Sequence, residues 1–377
     1  RNMISLFSSL PRLFVVDPGH VSVDTWVFRL HYRITCVALL VCCLMVSASQ
    51  FIGDPIKCIM DNQDDEDFEE AVNTYCWIRS TYSLPAHWNK QHGSQVAYPG
   101  VGPHGTSGER KYHAYYQWVP FFLFFQSILF YAPHWIWNAW EGSRIKGLVD
   151  GYQGHLMAKD ERQSKINLLS KFISHKYSDH GFWYFKYVLC EALLLINVIG
   201  NIYFTDAFLG YEFSTFGLEA ITHSSREPED RVDPLIRVFP RVTKCDFHMY
   251  GPSGTIQRND IMCILAWNIM NEKIFLFTWF WFIILAILTV GQLFYRILTI
   301  SSNVVRCYIL RSRCSSNHRA KCDILVRHCT QGDWFFLSHL GKNMSVILFD
   351  ELIESLAETF SKKFKSGSQD DLISERL

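Results

Sequence analysis

Cysteine is the residue type in this sequence whose spacing most clearly suggests chemistry, because several of the thiols fall in pairs. Two long polar segments each contain two cysteines 18 positions apart, Cys58 with Cys76 and Cys245 with Cys263. Four cysteines allow three disulfide pairings, and the sequence alone does not choose among them. Because disulfides persist in oxidising compartments, bridges here would place both segments outside the cytosol.

A second group of cysteines lies near the C-terminus, at Cys307, Cys314, Cys322 and Cys329. Their spacing contains no pair separated by the two to four residues that zinc sites ordinarily use, so we expect no metal site. Reduced thiols, or an acylated Cys307, are the expected states. The sequence also has no phosphate-binding loop and no nucleophile elbow, so we expect neither catalysis nor a cofactor.

The remaining candidates are polar residues inside an apolar stretch. Glu191 lies well within it, and an acid there is costly against lipid, so it should face other helices or water. We keep two interpretations for Glu191, a role in the pore or its gating and a structural pairing with a neighbouring helix. Asn197 and Asn201 lie one helical turn apart and are expected to bond between helices.

Four largely apolar runs contain or flank these residues, and each is predicted to cross a membrane as a helix. The third is interrupted by Lys186, Glu191 and Asp206. The second has 29 residues without Asp, Glu, Lys or Arg, whereas about 20 suffice for a span. A cleaved signal peptide is the alternative for the first run, which however is longer than a signal sequence and starts too far from the N-terminus. The predicted spans are residues 34–52, 112–140, 182–209 and 274–296.

Charge near the span ends predicts the orientation. Eight Lys and Arg residues lie close to the span ends on the side of the two termini, and the main basic residues on the other side number four. The positive-inside rule therefore predicts that both termini are cytosolic. The segments 1–33, 141–181 and 297–377 are then cytosolic, and 53–111 and 210–273 are extracellular. With 36 basic and 36 acidic residues and no basic face, nucleic acid is not an expected partner.

The polar segments carry their own patterns. Acids at 64–70 predict the start of a short helix, and apolar residues on both sides of a Gly-Pro-Ser-Gly turn at 251–254 predict a hairpin. Amphipathic helices are expected near 159–173 and 349–364, the latter before a polar tail. At the N-terminus, where we expect translation to begin at Met3, an apolar stripe at helical spacing includes Leu6, Phe7 and Leu10.

Several motifs together resemble the innexins, the subunits of invertebrate gap junctions. The family's signature at the start of the second span is matched by Tyr115, Tyr116, Gln117, Trp118 and Val119. Residues 28–31, 53–56, 73–77, 239–245 and 271–273 also fit. The likeness covers the four spans and both outer segments and weakens in the last 80 residues. Pro120 departs from the family pattern and puts only the local helix geometry in doubt.

This resemblance implies a four-helix membrane protein with a disulfide-linked α/β extracellular domain and a helical cytoplasmic domain. It implies nested bridges, Cys58 with Cys263 and Cys76 with Cys245. It further implies that an octameric ring of this or related subunits sits in the plasma membrane, docks with a ring of the adjacent cell, and passes ions and small molecules. The N-terminal segment, with Met3, Leu6, Phe7 and Leu10, would then line the pore mouth.

Other four-span proteins are separable on sequence. A connexin would carry three cysteines in each outer loop, whereas this chain has two. A tetraspanin would carry a Cys-Cys-Gly in its long outer loop, whereas Cys42 and Cys43 lie within a span. The alternatives we keep are a non-junctional large-pore hemichannel and a four-span adhesion protein.

Overall fold

A computed structural model describes residues 21, 23–60, 66–91, 93–103, 108–149, 159–176, 180–224 and 235–374. The predicted N-terminal stripe, with Met3, Leu6, Phe7 and Leu10, lies outside these residues. The α-helices of the described part are, in chain order, α1 (Trp26–Arg29), α2 (Cys36–Ile52), α3 (Glu66–Arg79), α4 (Val119–Glu141), α5 (Arg144–Val149), α6 (Lys159–His175), α7 (Gly181–Phe208), α8 (Phe213–Ser224), α9 (Leu235–Val238), α10 (Asn268–Ser301), α11 (Asn303–Arg311), α12 (Arg319–His328), α13 (Gln331–Asn343) and α14 (Val346–Ser374). The strands are β1 (Lys57–Ile59), β2 (Thr81–Ser83), β3 (Lys111–His113), β4 (Val242–Tyr250) and β5 (Ile256–Ile264).

Four helical stretches of the described part are long and apolar enough to cross a membrane, which confirms the predicted fold class. They are Trp26–Gln50, Val119–Glu141, Gly181–Phe208 and Asn268–Ser301. In the first stretch α1 and α2 are joined by a π-helical segment, Leu30–Thr35. Such segments occur at sites where a helix must re-aim its side chains, and here His31 Nε2 lies 2.9 Å from Thr289 Oγ1 of α10.

The second span begins later than predicted. Residues 112–118 were expected in the membrane helix, but Tyr112 and His113 belong to β3, and a 3-10 turn (Tyr115–Gln117) leads into α4. The predicted start was too early because aromatic residues are common both in half-buried strands and at the interfacial ends of membrane helices. Pro120 falls in the first turn of α4, where a missing N–H breaks no helical hydrogen bond, while Pro133 lies inside the helix.

The chain divides into two compact units. One contains residues 34–130 and 197–286, and its polar part is built on an antiparallel sheet with the strand order β1-β5-β4-β2-β3. The long strands β4 and β5 form the predicted hairpin over nine residue pairs, from Val242 opposite Ile264 to Tyr250 opposite Ile256. Helix α3, whose first turn carries three acids, covers the sheet with Val72 and Cys76 fully buried.

The other unit contains residues 1–33, 131–196 and 287–377, of which the described part is helical. Its core is the apolar face of α13, where Trp334, Phe335 and Phe336 are buried together with residues of α6, α7 and α14. Helix α13 starts with a capping box in which Thr330 and Asp333 bond each other's backbone N–H groups. The predicted amphipathic helices are present as α6 and α14, and α14 continues to Ser374 through residues expected to form a polar tail.

Candidate functional site

The hairpin of the extracellular segments is held by two disulfides, Cys58–Cys263 and Cys76–Cys245. Cys58 and Cys263 are directly opposite each other on β1 and β5, and Cys76 lies on α3. The sulfur atoms of Cys58, Cys76 and Cys263 lie within 4.8 Å of one another, so the two bridges pack side by side beneath α3. This is the nested pairing that the family resemblance implies, and it joins the first outer segment to the second twice.

The far half of the hairpin extends beyond its neighbouring strands. Among the described residues, strand β1 pairs with β5 only at Met262, Cys263 and Ile264, and β2 pairs with β4 only at Lys244. The five outermost pairs, from Asp246 opposite Asp260 to the turn, therefore form a two-stranded ribbon. Tyr250 and Ile256 at its end are 74% and 67% exposed.

A network of charges anchors the base of this ribbon. Asp246 accepts a hydrogen bond from Arg110 at 2.7 Å and one from Tyr82 at 3.0 Å, and it also pairs with Arg258. Burial acts to raise the pKa of Asp246, but the hydrogen bonds from Arg258 and Arg110 outweigh it and hold the pKa below its ordinary value. On the opposite strand Asp260 pairs with Lys244. The network keeps the ribbon in register at the point where it leaves the sheet.

The signature residues connect the start of α4 to the extracellular part of their unit. Tyr116 is buried with its ring centroid 4.5 Å from that of Trp77 on α3, and its carbonyl accepts a 2.8 Å hydrogen bond from Gln50. Gln117 donates to the carbonyl of Trp77. Val119 is buried, whereas Trp118 is exposed at the helix start, as expected of an interfacial tryptophan. The motif thus fixes where the second span begins relative to α3.

Glu191 forms a buried, two-pronged ion pair within the spans. Its carboxylate oxygens accept 2.7 Å hydrogen bonds from Nε and Nη2 of Arg296 on α10, and Gln292 donates a third at 3.1 Å. The Arg296 guanidinium lies 5.2 Å from the ring centroid of Tyr187 and 5.1 Å from that of Phe335. Of our two interpretations this geometry favours the structural pairing, because both charges are satisfied away from water.

Among the described residues Asn197 and Asn201 bond each other within α7, and the expected bond between helices is not seen there. Asn201 Nδ2 donates to the Asn197 carbonyl at 2.8 Å and to its Oδ1 at 3.1 Å. Residues four apart share one helix face, which makes this local bond the cheaper one. The bond between helices comes instead from Gln126 of α4 to Thr205 of α7, at 2.8 Å.

The C-terminal cysteines were expected to be reduced thiols, which suits Cys307 and Cys329, whereas Cys314 and Cys322 lie in contact with each other. Burial raises the pKa of Cys329 to about 12 and also raises that of Cys307, so both stay protonated and weakly reactive. The sulfur atoms of Cys314 and Cys322 are in contact, but their Cα atoms are 7.7 Å apart. This separation exceeds the roughly 4.4–6.8 Å usual for a disulfide, and the cytosol is reducing, so we interpret them as neighbouring thiols.

Comparison with known proteins decides the family. The innexin family profile matches residues 24–360. The chain is 43% identical to innexin inx2 of Schistocerca americana, with 96% of this chain and 99% of that protein covered. It is 42% identical to innexin shaking-B of Drosophila melanogaster, with 94% of each chain covered, and 42% identical to innexin inx2 of the same species, with 95% of this chain and 96% of that protein covered.

The chain belongs to the innexin family. It is therefore a gap-junction channel subunit, a multi-pass protein of the plasma membrane, as the motifs predicted. Within this innexin, sequence reasoning found Glu191 but missed its partner Arg296, which is the last residue of the predicted fourth span and was given no role there. The signal was present: an acid at membrane depth requires a donor, and Arg296 directly follows the last run of uncharged residues.

Proposed function

We propose that this innexin assembles as a ring of eight subunits in one membrane and docks end to end with a ring of the adjacent cell. The observation that carries the docking proposal is the projecting ribbon of β4 and β5. An edge of unpaired backbone groups with exposed Tyr250 and Ile256 at its tip is suited to associate with another copy. Subunits of the two rings can be identical or different innexins.

The disulfides support this role by making the outer domain rigid. The bridged residues are 205 and 169 positions apart, and closing one loop of this length is worth about 5 kcal/mol in the chain-entropy model, while the second, nested bridge adds less. A docking surface that is already ordered does not lose free energy to ordering at every contact. A ring of identical rigid surfaces suits end-to-end association.

The pore is proposed to lie between subunits and not inside one. Support comes from the spans, where Glu191 and Arg296 neutralise each other in a buried pair instead of lining a water-filled path. A ring of subunits encloses a central passage even when no subunit contains a water-filled path of its own. The first span would line this passage, and Met3, Leu6, Phe7 and Leu10 would lie at its mouth.

Paired-cell recording tests the docking proposal. The double variant Tyr250→Lys with Ile256→Lys places charges on the ribbon tip, so coupling between two expressing cells should fall at least tenfold while surface biotinylation stays at the level of the parent protein. Electron microscopy of the purified protein should show eightfold rings for both. Normal coupling by the variant would exclude the ribbon tip as the docking surface, and a ring of another size would refute the octamer.

A further inference from the structure

The cytosolic ends of the first two spans enclose a cavity of about 320 Å³, within the size range of small-ligand sites. One wall is formed by Asp24, which precedes α1, and by Tyr32 and Arg33 of the π-helical segment. The other is formed by the end of α4 with His134 and by Lys146 of α5. Because α1 starts at Trp26 and α4 ends at Glu141, the cavity lies at the level of the lipid headgroups.

The charges that line the cavity are balanced. Asp24 and Glu141 supply two carboxylates, and Arg33 and Lys146 supply two cations. Among the described residues neither cation forms an ion pair, and the guanidinium of Arg33 lies 5.8 Å from the Tyr32 ring. Two cations that no described carboxylate neutralises are suited, at a membrane interface, to hold a phosphate.

Aromatic rings lie beside Asp24 in the cavity. The rings of Tyr32 and His134 are stacked at 3.7 Å, and the Tyr32 hydroxyl donates to Asp24 Oδ2 at 3.0 Å. His134 Nδ1 approaches the same Oδ2 at 3.6 Å. Trp137 and the partly exposed Tyr131 complete this side. Aromatic faces beside a carboxylate are the chemistry that recognises substituted ammonium groups.

We propose that this cavity binds the headgroup of a zwitterionic phospholipid from the cytosolic leaflet. The phosphate would lie between Arg33 and Lys146, and the ammonium group against Asp24 and the rings. The sum of the lining charges is zero, which matches a headgroup with one charge of each sign better than an anionic one. The acyl chains would leave past Tyr131 and Trp135, which is 65% exposed.

Native mass spectrometry of the purified full-length channel tests this site. The probes are dihexanoyl phosphatidylcholine, dihexanoyl phosphatidylglycerol and glycerophosphocholine, which has the headgroup but no acyl chains. The choline lipid should bind best, and Lys146→Gln or Arg33→Gln should weaken it about tenfold, as expected for the loss of one charged hydrogen bond. Arg144→Gln is the matched control, because Arg144 is an exposed cation of the same helix that does not line the cavity.

Two further measurements distinguish the intact lipid from its free headgroup and the ammonium site from the phosphate site. Glycerophosphocholine should bind more weakly than the intact lipid, and Asp24→Asn should reduce the preference for choline over glycerol lipid. Equal binding of both lipids by the parent protein would overturn the zwitterionic assignment. Equal losses of choline-lipid affinity in Lys146→Gln and Arg144→Gln would overturn the site. Binding of the choline lipid only after deletion of residues 3–10 would also overturn it, because the N-terminal segment would then be the occupant of the cavity.

Discussion

At the scale of single residues, the pair of Glu191 and Arg296 explains how a charged group is tolerated at membrane depth. The carboxylate accepts two hydrogen bonds from the guanidinium, and Gln292 donates a third. The pair links α7 to α10, and through the ring of Phe335 it also contacts α13. Such a pair adds little net stability over an apolar replacement, but breaking one half of it is expensive.

We expect Glu191→Gln to destabilise the protein, because it leaves the Arg296 guanidinium buried without a counter-charge. The cost should be about 3–5 kcal/mol, seen as a lower midpoint of thermal unfolding of the detergent-solubilised protein. The double variant Glu191→Gln with Arg296→Gln should recover most of the loss. Glu161→Gln, which removes an exposed pair with Lys165, should change the stability by less than about 0.5 kcal/mol. An unchanged midpoint in Glu191→Gln would contradict the structural role.

A second residue-scale prediction concerns His113 in the extracellular sheet. Burial, with a smaller effect of Lys111, lowers the pKa of His113 to about 3, while the unfolded chain has a pKa near 6.5. Between these values the unfolded state binds a proton that the folded state excludes, so stability falls as the pH drops below about 6.5. The slope is about 1.4 kcal/mol per pH unit, and His113 contributes none above pH 6.5.

Hydrogen exchange of the sheet amides at pH 4.5, 5.5 and 6.5, corrected for intrinsic rates, measures this slope. In His113→Gln the slope should become shallower by about 1.4 kcal/mol per pH unit. Ser83→Ala is the control, since it removes the hydroxyl 2.8 Å from His113 Nε2 but keeps the imidazole. The prediction fails if His113→Gln and the parent protein show the same slope.

At the scale of elements, the sequence predicts what depends on local periodicity and misses what depends on partners. The spans and the hairpin follow from runs or alternations of apolar residues, α3 follows from the acids that precede it, and the structure has each of them. Strand β3 was missed because Tyr112 and His113 pair with β2, which no local pattern reveals. The same holds for the site: Glu191 is visible in the sequence, whereas Arg296 becomes its partner only when α7 and α10 pack.

The contact between α13 and the start of α7 gives a prediction for an element. A Cβ built on Gly332 would lie 2.5 Å from the backbone carbon of His180 and 2.6 Å from the nitrogen of Gly181. Backbone atoms cannot move aside as a flexible side chain can, and His180 is also held by a 2.8 Å bond to Asp333. Gly332→Ala should therefore cost about 1–3 kcal/mol through overpacking.

Thermal unfolding of the solubilised protein again measures the effect. Gly147→Ala in α5 is the matched control, because a Cβ there meets no atom within 4 Å among the described residues. It should be neutral or stabilising by up to about 1 kcal/mol, as alanine is the better helix former. If both glycine variants behave alike, the close approach of α13 to α7 is not rigid.

At the scale of the whole molecule, alternation of four spans and the location of the bridged cysteines define two sides of the membrane. The disulfide-bonded cysteines lie in the segments assigned outside by the positive-inside rule, so two independent criteria agree on the topology. Assembly is what a single chain cannot reveal. The number of subunits depends on the angle between neighbouring copies. That angle is set by contact surfaces whose residues show no pattern that distinguishes them from other exposed residues.

The last prediction concerns the N-terminal segment and belongs to the assembled ring. We expect replacement of Leu6, Phe7 and Leu10 by serine to leave membrane insertion intact, because insertion depends on the four apolar spans. Conductance should change or opening should be lost, because the apolar stripe would no longer seat at the pore mouth. Two-cell voltage clamp with surface labelling measures both, and Ser8→Ala with Ser9→Ala changes neighbouring positions off the stripe as a control. Parent-like currents from the serine variant at normal surface density would refute the pore-mouth assignment. Altered currents in both variants would show that the segment matters for a reason other than its apolar face.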